Sequence, residues 1–400
     1  MTEQRKRGTD SIESPDHAFV DVAGSEQPVP KIITEPGPKY QDANRRFANV
    51  TTITKTPGGR LWCGFSGGGD GEGHLNYGMV VFSDDNGESW TSPQLVVDTD
   101  GEGPIRTDHM VVWTAPDGVL WVMFNQYPET LIGRRSSLWA ITCDNPDDNH
   151  RQWSAPRKLV DEQNMLNRPT VLRDGTWIFP TGCWIRCEDA DLKESRRRFP
   201  SRPLISRDQG ETFELGGPLH GEDPPDYDEY TVAERRDGTL VIYDRHGTDE
   251  DGPWSILECE STDRGHSWTP LRINDIPNAR SRLVLMNLKS GNWLLVKHGT
   301  MDRVNSDVFR GRTHMTAWIS RDEGETWEGG LMLDERDCAY PCGFQAEDGT
   351  IYVSYDRRRQ ERAEMLFARF TEEDLLAGEG ISEPFAQRMM INKTEGVSQA

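Results

Sequence analysis

Several side chains that could take part in catalysis lie beside short turn motifs in this sequence. Glu229 comes just before an apolar strand pattern, and Arg245 ends the next one, in the segment DEYTVAERRDGTLVIYDR. Tyr340 lies in the segment CAYPCGFQAEDGT. A phenol, with an ordinary pKa of about 10, attacks a substrate only when a neighbouring base takes its proton. A guanidinium binds a carboxylate through two parallel hydrogen bonds, so these residue types suit chemistry on an acidic substrate.

Further candidates occupy loops and the starts of strands. The glycine-rich segment GFSGGGDGEG (64–73) carries Asp70 and Glu72, either of which could act as a general acid. Because a loop carboxylate among glycines is often simply solvated, a surface role is the alternative. Asp108 and His109 begin an apolar strand pattern, and Arg282 precedes another. For these three residues the alternative is a salt bridge at the rim.

Known cofactor and catalytic motifs are absent from the sequence. It has no Walker loop, no GxGxxG after a strand, no HExxH helix and no GxSxG elbow. The segment DTDGEG (98–103) lacks the distal Glu of a calcium loop. The seven scattered cysteines lack the spacing and flanking histidines of a zinc site, so reduced thiols within strands are expected. We therefore expect neither a metal nor an organic cofactor.

An internal repeat shows which elements must position these side chains. A turn that contains glycine, followed by an apolar strand, recurs six times, with its glycine at Gly59, Gly118, Gly175, Gly238, Gly291 and Gly349. Glycine supplies the positive φ of a hairpin turn, and the apolar run is typical of a buried strand. Six repeats of a small antiparallel sheet predict an all-β protein, a six-bladed β-propeller.

A second motif, Ser-x-Asp-x-Gly-x-x-aromatic, is interleaved with the first. Its four copies are SDDNGESW (83–90), SRDQGETF (206–213), STDRGHSW (261–268) and SRDEGETW (320–327). In such a turn the aspartate accepts hydrogen bonds from backbone N–H groups and the glycine takes a left-handed conformation. We therefore interpret Asp85, Asp208, Asp263 and Asp322 as structural residues.

These motifs resemble the Asp-box (BNR) repeats of the sialidase (neuraminidase) superfamily over residues 40–392. The resemblance implies the sialidase propeller and exo-acting cleavage of a terminal sugar. It also implies a Tyr nucleophile activated by a Glu, an Asp general acid/base, and three Arg that grip the substrate carboxylate. Glycosidases with a Tyr nucleophile are a recognised exception to the two-carboxylate rule.

The resemblance assigns roles to individual residues. Tyr340 corresponds to the nucleophile, Glu229 to its base, and Arg245 to one clamp arginine. Arg312, in the segment RTHMTAWISRDEGETW, corresponds to another clamp arginine. Weaker candidates for the substrate pocket are Asp108, His109, Arg168, Arg282, Asp228, Trp184 and Trp254.

The first blade departs from the sialidase pattern. Asn49 stands where the first clamp arginine is expected, and Arg46 is three residues away. Asp70 is the first candidate for the general acid and Glu72 the second. Because no third arginine is certain, the acidic sugar could be a uronate instead of sialic acid.

Composition and charge limit the possible partners. The net charge of −22 should repel nucleic acid and anionic lipid, and no apolar run is long enough to cross a membrane. No signal peptide is recognisable, which favours a cytoplasmic protein. We expect a polar N-terminal tail over 1–38, in which KIIT (31–34) could add a strand to the last blade. A propeller over 39–392 and a short tail over 393–400 would follow.

The sequence thus predicts an exo-acting, sialidase-type glycoside hydrolase acting on a carbohydrate with a terminal acidic sugar. Two alternatives remain. The same fold could carry out other sugar chemistry, such as a rhamnosidase-like or uronate lyase reaction, or it could be a carbohydrate-binding propeller without catalysis.

Overall fold

The fold is known from a computed structural model. It describes residues 28–101, 103–128, 136–183, 200–220, 229–246, 255–301, 311–359 and 363–395. In these segments seven antiparallel sheets form six blades, because the third blade is divided into two sheets, and the first strands of most neighbouring blades contact each other around a common axis. The protein is a six-bladed β-propeller, as the sequence predicted.

Each blade is built from consecutive strands, numbered outward from the axis, except at the outer edge of blade 1 and within blade 3. Blade 1 contains β2 (Ala48–Lys55), β3 (Leu61–Gly67), β4 (Tyr77–Ser83) and β5 (Leu95–Val97), with β1 (Ile32–Ile33) at its outer edge. Blade 2 contains β6 (Ile105–Thr114), β7 (Leu120–Pro128), β8 (Ser137–Cys143) and β9 (Arg157–Asp161). Blade 3 contains β10 (Asn164–Met165), β11 (Thr170–Val171), β12 (Trp177–Phe179), β13 (Thr181–Gly182), β14 (Leu204–Ser206) and β15 (Glu214–Leu215). In this blade β10 and β13 pair in a small sheet of their own.

The second half of the ring repeats this order. Blade 4 contains β16 (Thr231–Glu234), β17 (Leu240–Arg245), β18 (Ser255–Ser261) and β19 (Arg272–Pro277). Blade 5 contains β20 (Val284–Asn287), β21 (Trp293–His298), β22 (Met315–Ser320) and β23 (Glu328–Asp334). Blade 6 contains β24 (Ala339–Gln345), β25 (Ile351–Arg357), β26 (Glu364–Phe370) and β27 (Ala386–Lys393).

The repeated glycine turns join the first and second strands of the blades. All six turn glycines have positive φ, for example Gly59 at 94° and Gly118 at 88°. Their neighbours bond across the turn, as where the Gly59 N–H donates to the Thr56 carbonyl at 2.9 Å. The cores lie between blades, since Trp62 of blade 1 packs in one cluster with Val112 of blade 2. Thin cores between many sheets agree with the modest hydrophobic content of 34%.

The Asp-box aspartates are held entirely by their own turns. The Asp85 carboxylate accepts from the Ser89 N–H at 2.9 Å, the Ser89 hydroxyl at 2.5 Å and the Ser83 hydroxyl at 2.7 Å. These hydrogen bonds, led by that of the Ser89 hydroxyl, lower the pKa of Asp85 to about 2. Asp208, Asp263 and Asp322 make the same set of contacts in the other three copies. A structural role accounts for all four carboxylates.

The prediction that KIIT joins the last blade is wrong. Ile32 and Ile33 pair with Val97 and Val96, at the outer edge of blade 1. Contacts just downstream anchor this segment there, because the Tyr40 hydroxyl donates to Asp98 at 2.9 Å. The last blade supplies its own outer strand, β27, so it has no missing strand for this segment to replace.

Side-chain and backbone hydrogen bonds join the two ends of the described chain and close the ring. The Arg45 guanidinium donates to Asn392 Oδ1 at 2.5 Å, and the Glu395 N–H donates to the Asp42 carbonyl at 3.1 Å. Before β27 lies a short helix, Glu372–Ala377, which Thr371 caps at its start and which ends at Gly378. Among the described residues, no helix has the length and apolar character that a membrane span requires.

Candidate active site

Polar side chains converge at one end of the axis, where the first strand of each blade begins and its second strand ends. In three blades the pairing between the first and second strands is irregular at this end of the axis. The first strand of each of these blades has one non-glycine residue with positive φ at the irregularity. These residues are Val50 (50°), His109 (54°) and Tyr340 (56°). Such a conformation is costly for a bulky residue, and a bulge re-aims the side chain. Tyr340, the predicted nucleophile, is one of these three residues.

Arg245 connects the phenol of Tyr340 with the carboxylate of Glu229. Its Nη1 donates to Tyr340 Oη at 3.2 Å and lies 2.5 Å from Glu229 Oε1. Both Tyr340 and Glu229 are buried, whereas the Arg245 side chain is 12% exposed. The two residues come from blades 6 and 4, so only the closed ring brings them together. The structure therefore places Tyr340, Glu229 and Arg245 in one group.

Glu229 is a buried carboxylate that remains ionised. Burial opposes its negative charge, but Arg245, together with Arg312 and Arg282, outweighs burial and holds the pKa of Glu229 below its ordinary value. Its Oε2 has no hydrogen-bond donor among the described residues. Asp244 accepts the Glu229 N–H at 3.2 Å and the Arg245 N–H at 2.7 Å, which fixes both residues. Glu229 can therefore accept a proton at neutral pH.

Two further arginines lie against the Tyr340 ring. The guanidinium carbon of Arg312 is 5.0 Å from the ring centroid, and that of Arg359 is 3.8 Å away. Asp356 orients Arg359, with an oxygen 3.0 Å from its Nε. Arg359 was not among the site residues predicted from the sequence. Its only signal was the run of three arginines, Arg357–Arg359, after the strand of the last repeat.

The structure separates the two candidates for the general acid. Glu72 Oε1 accepts from Asn49 Nδ2 at 3.2 Å and lies 3.5 Å from Arg359 Nη1, next to Tyr340. The Asp70 side chain is 80% exposed and pairs with Arg46 at 3.1 Å, at the rim. Asp70, the first candidate, thus lies apart from this group of residues, and the second candidate, Glu72, lies within it.

The two residues considered for the missing first arginine differ in the same way. Asn49 is completely buried, and its Oδ1 has no partner among the described residues. The Arg46 side chain is 56% exposed, and within the described segments its ion-pair partner is Asp70. Asn49 therefore belongs to the site but brings no charge to it. A positive charge enters the site from blade 6, on Arg359.

Asp108 and His109 form a buried layer of blade 2 beside the site. The Asp108 carboxylate pairs with Arg106 and accepts the His109 N–H at 2.8 Å. Burial, which outweighs the attraction of Asp108, lowers the pKa of His109 below its ordinary value. The His109 ring nitrogen Nδ1 lies 3.3 Å from Asn125 Nδ2, within the same blade. Asp108 thus positions His109 beside the site.

The buried Asp108 carboxylate makes stability depend on pH. Burial opposes its charge, but Arg106, His109 and Ser66 outweigh burial and lower its pKa to about 2. An unfolded Asp has a pKa of about 3.9, so this stabilisation is complete above about pH 5 and is lost as the pH falls through about 2. Asp108→Asn should therefore lower the free energy of unfolding, and its deficit should be about 1 kcal/mol smaller at pH 3 than at pH 7. Urea titrations at both pH values measure this, and an equal deficit at both would contradict it.

Arg282 lies inside the hub and not in the substrate space. It is completely buried, and its guanidinium donates to the carbonyls of Tyr340 at 2.8 Å, Pro341 at 3.1 Å and Leu166. A weaker contact of 3.4 Å reaches the Thr51 carbonyl. These acceptors belong to blades 1, 3 and 6, whereas Arg282 precedes blade 5. Arg282 therefore holds the backbone of Tyr340 in place, and its N–H groups are not turned toward a substrate.

Replacing Arg282 should destabilise the whole ring. Arg282→Leu would leave several buried carbonyls without a donor, and each such loss costs about 1–3 kcal/mol. We expect the free energy of unfolding to fall by about 3 kcal/mol or more, as measured by urea denaturation. A loss under 1 kcal/mol would show that water replaces the guanidinium in the hub. Arg46→Leu, at the exposed rim, is the matched control and should change stability by less than about 0.5 kcal/mol.

The other pocket candidates fall elsewhere. Arg168 lies deeper along the axis, where its Nη1 donates to the Gly343 carbonyl at 3.1 Å. Asp228, Trp184 and Trp254 lie outside the described residues. In the described part of the chain, no three His, Cys, Asp or Glu side chains are arranged to hold a metal ion.

Comparisons with known proteins give the chain its family. The model of the BNR repeat-like domain matches residues 59–353. No match was found among curated protein sequences.

Several similar solved structures are sialidases. The Hadza microbial sialidase Hz136 is 21% identical with a TM-score of 0.61, over 79% of this chain and 65% of that one. The NanB sialidase from Streptococcus pneumoniae is 12% identical with a TM-score of 0.61, over 84% and 70%. Trypanosoma rangeli sialidase, solved with sialic acid, is 13% identical with a TM-score of 0.60, over 85% and 59%. The chain thus spans about two thirds of the length of these proteins. It belongs to the BNR repeat-like family and has the fold of the sialidases.

Proposed function

We propose that the protein is an exo-acting glycosidase that releases a terminal acidic sugar through a Tyr340 nucleophile. The observation that carries this proposal is the shared contact of Arg245 Nη1 with Tyr340 Oη and Glu229 Oε1. It couples a phenol to a buried, ionised carboxylate at the centre of the ring. An ordinary packing tyrosine needs no such pair and no backbone in the left-handed region.

In the proposed reaction Glu229 takes the phenolic proton as Tyr340 Oη bonds to the anomeric carbon. The bond from that carbon to the leaving oxygen breaks, and Glu72 gives its proton to this oxygen. Water then attacks the anomeric carbon and gives its proton to Glu72, while Glu229 returns the first proton to the departing phenolic oxygen. The enzyme ends in its starting state, and the anomeric configuration is retained after two displacements.

An acidic sugar fits the charge of the site. Arg245, Arg312 and Arg359 lie around Tyr340. Arg245 pairs with Glu229 and Arg359 with Asp356, whereas Arg312 forms no ion pair with a carboxylate among the described residues. Arginines in a poorly solvated site favour a substrate carboxylate through paired hydrogen bonds. The unpartnered Oδ1 of Asn49 adds an acceptor for a sugar hydroxyl or amide. We therefore propose that Arg359 supplies the positive charge that Asn49 does not provide.

We also propose a cellular compartment for the protein. The six described cysteines are all free and buried. Reduced thiols suit a reducing compartment, so we propose that the protein acts in the cytoplasm.

A substrate screen tests the proposed activity. The purified protein is incubated with oligosaccharides that end in sialic acid or in a hexuronic acid, and with neutral counterparts, and the released sugars are separated by chromatography. We expect release of one class of acidic sugar and none from the neutral set. An unsaturated product absorbing in the ultraviolet would instead indicate a lyase. Binding of sugar without any consumption would indicate a carbohydrate-binding propeller.

A further inference from the structure

A cavity lies on the propeller axis, and Arg282 lies between this far-side cavity and Tyr340. Arg282 binds the carbonyls of Tyr340 and Pro341, whereas the cavity begins at Cys342 and Gly343, further along the same strand. Its volume is about 250 Å³. It opens toward the end of the propeller that carries the glycine turns, and the first strands of blades 3 to 6 form most of its wall. The buried Arg282 separates it from the candidate active site.

The walls of this far-side cavity are mostly apolar. Trp113 and Phe344 contribute aromatic rings, and Val284, Leu285 and Met286 contribute aliphatic surface. Phe344 is fixed by stacking on Tyr352, with 5.1 Å between ring centroids. A preformed apolar cavity with few polar groups is the usual form of a small-molecule site.

Arg168 brings an uncompensated positive charge to this cavity. Its guanidinium carbon lies 5.3 Å from the Phe344 ring centroid, and its Nη1 donates to the Gly343 carbonyl at 3.1 Å. No carboxylate pairs with it among the described residues. Burial lowers the pKa of Arg168 to about 10, so the guanidinium remains charged at neutral pH. A poorly solvated cation without a counter-ion favours the binding of an anion.

The other polar groups around the cavity already have partners. Lys289 pairs with Glu347 at 2.7 Å, and Asn287 exchanges two hydrogen bonds of 2.8 Å with the Glu234 backbone. Gln345 accepts the Lys289 N–H at 2.7 Å. A polyhydroxylated sugar acid would therefore leave its hydroxyls unpaired against the apolar walls, at a cost for each of them. The guanidinium of Arg168 is thus the positive charge at this cavity that no described carboxylate neutralises.

We propose that the far-side cavity binds a small monocarboxylate with a flat or compact apolar body. The carboxylate would pair with Arg168, and the body would lie between the aromatic rings and the aliphatic wall. The volume is slightly below that of a typical drug-sized site, which limits the ligand to a size near that of benzoate. This site is independent of the proposed glycosidase activity.

Benzoate and benzamide are the probes, with calorimetric titration of the full-length protein as the measurement. Benzoate should bind saturably, and benzamide, which has the same shape without the charge, should bind at least about tenfold more weakly. Arg168→Gln should weaken benzoate binding at least about tenfold. Met286→Trp, which fills the cavity but keeps Arg168, should abolish it. Thermal melting of both variants checks that they fold.

Arg312→Gln distinguishes the two ends of the axis. It removes a cation from the candidate active site and should leave benzoate affinity within about twofold. The proposal is overturned if Arg312→Gln abolishes binding while Arg168→Gln does not, or if benzoate and benzamide bind equally. An absence of saturable benzoate binding at millimolar concentration also overturns it.

Discussion

Tyr340→Phe should lower kcat for sugar release by about three orders of magnitude or more. The variant keeps the ring between Arg312 and Arg359 but lacks the oxygen that would attack the anomeric carbon. Losing a nucleophile removes the covalent route and leaves only what binding and electrostatic stabilisation provide. The rate of release from the preferred substrate is the measurement, with thermal melting to show that the fold is intact.

Tyr352→Phe is the matched control for this variant. Tyr352 lies in the same blade, and its hydroxyl donates to Asn86 Oδ1 at 2.7 Å, away from the site. Its loss should change kcat by less than about twofold. Glu229→Gln should reduce kcat nearly as far as Tyr340→Phe, and the double variant should be little worse, because the two residues act as a unit. Unchanged turnover in both single variants would rule out the proposed nucleophile and base.

Glu72→Gln should lower kcat by about 100-fold to 10,000-fold, whereas Asp70→Asn should change it by less than about threefold. Removing a general acid costs a rate factor of this size. Only Glu72 lies next to Tyr340, through its contacts with Asn49 and Arg359, and Asp70 is held at the exposed rim. Steady-state kinetics of both variants on the same substrate provide the comparison.

Substrates whose leaving groups differ in acidity make this test of the general acid more specific. An activated phenol leaves without protonation, so Glu72→Gln should keep much more of its activity on an aryl glycoside than on a natural linkage. If Asp70→Asn greatly lowered kcat while Glu72→Gln remained active, Asp70 and not Glu72 would be the general acid. It would imply that the glycine-rich loop closes over the substrate and carries Asp70 inward.

Local patterns in the sequence were enough to predict the architecture. Each turn glycine marks one blade, and the Asp-box turns depend only on residues within four positions of their aspartate. The central residues came from the resemblance to sialidases, which assigned roles to Glu229 and Arg245 in blade 4 and to Tyr340 in blade 6. The sixfold symmetry then brings them to one axis, as the structure shows.

Contacts that depend on ring closure could not be predicted in this way. Arg282 reaches the Thr51 carbonyl across 231 positions of sequence, and no local pattern indicates that its donors are already used. Arg359 follows a strand end with no motif of its own, and it contacts Glu72 of the first blade only because the last blade closes against it. Nor could a local pattern distinguish Asp70 from Glu72, which are two positions apart. In the fold Asp70 lies at the exposed rim, whereas Glu72 lies beside Arg359.

The most direct test of a covalent Tyr340 mechanism is the mass of the peptide that contains this residue after trapping. The enzyme is incubated with a glycoside of its preferred sugar that carries a fluorine next to the anomeric carbon and a good leaving group. Fluorine slows both the formation and the breakdown of the intermediate, and the good leaving group restores the rate of formation, so the intermediate accumulates. The account predicts that one sugar mass is added to Tyr340 in the wild type and none in Tyr340→Phe. An adduct on Glu72, Glu229 or Asp70, or full turnover without any adduct on tyrosine, would contradict it.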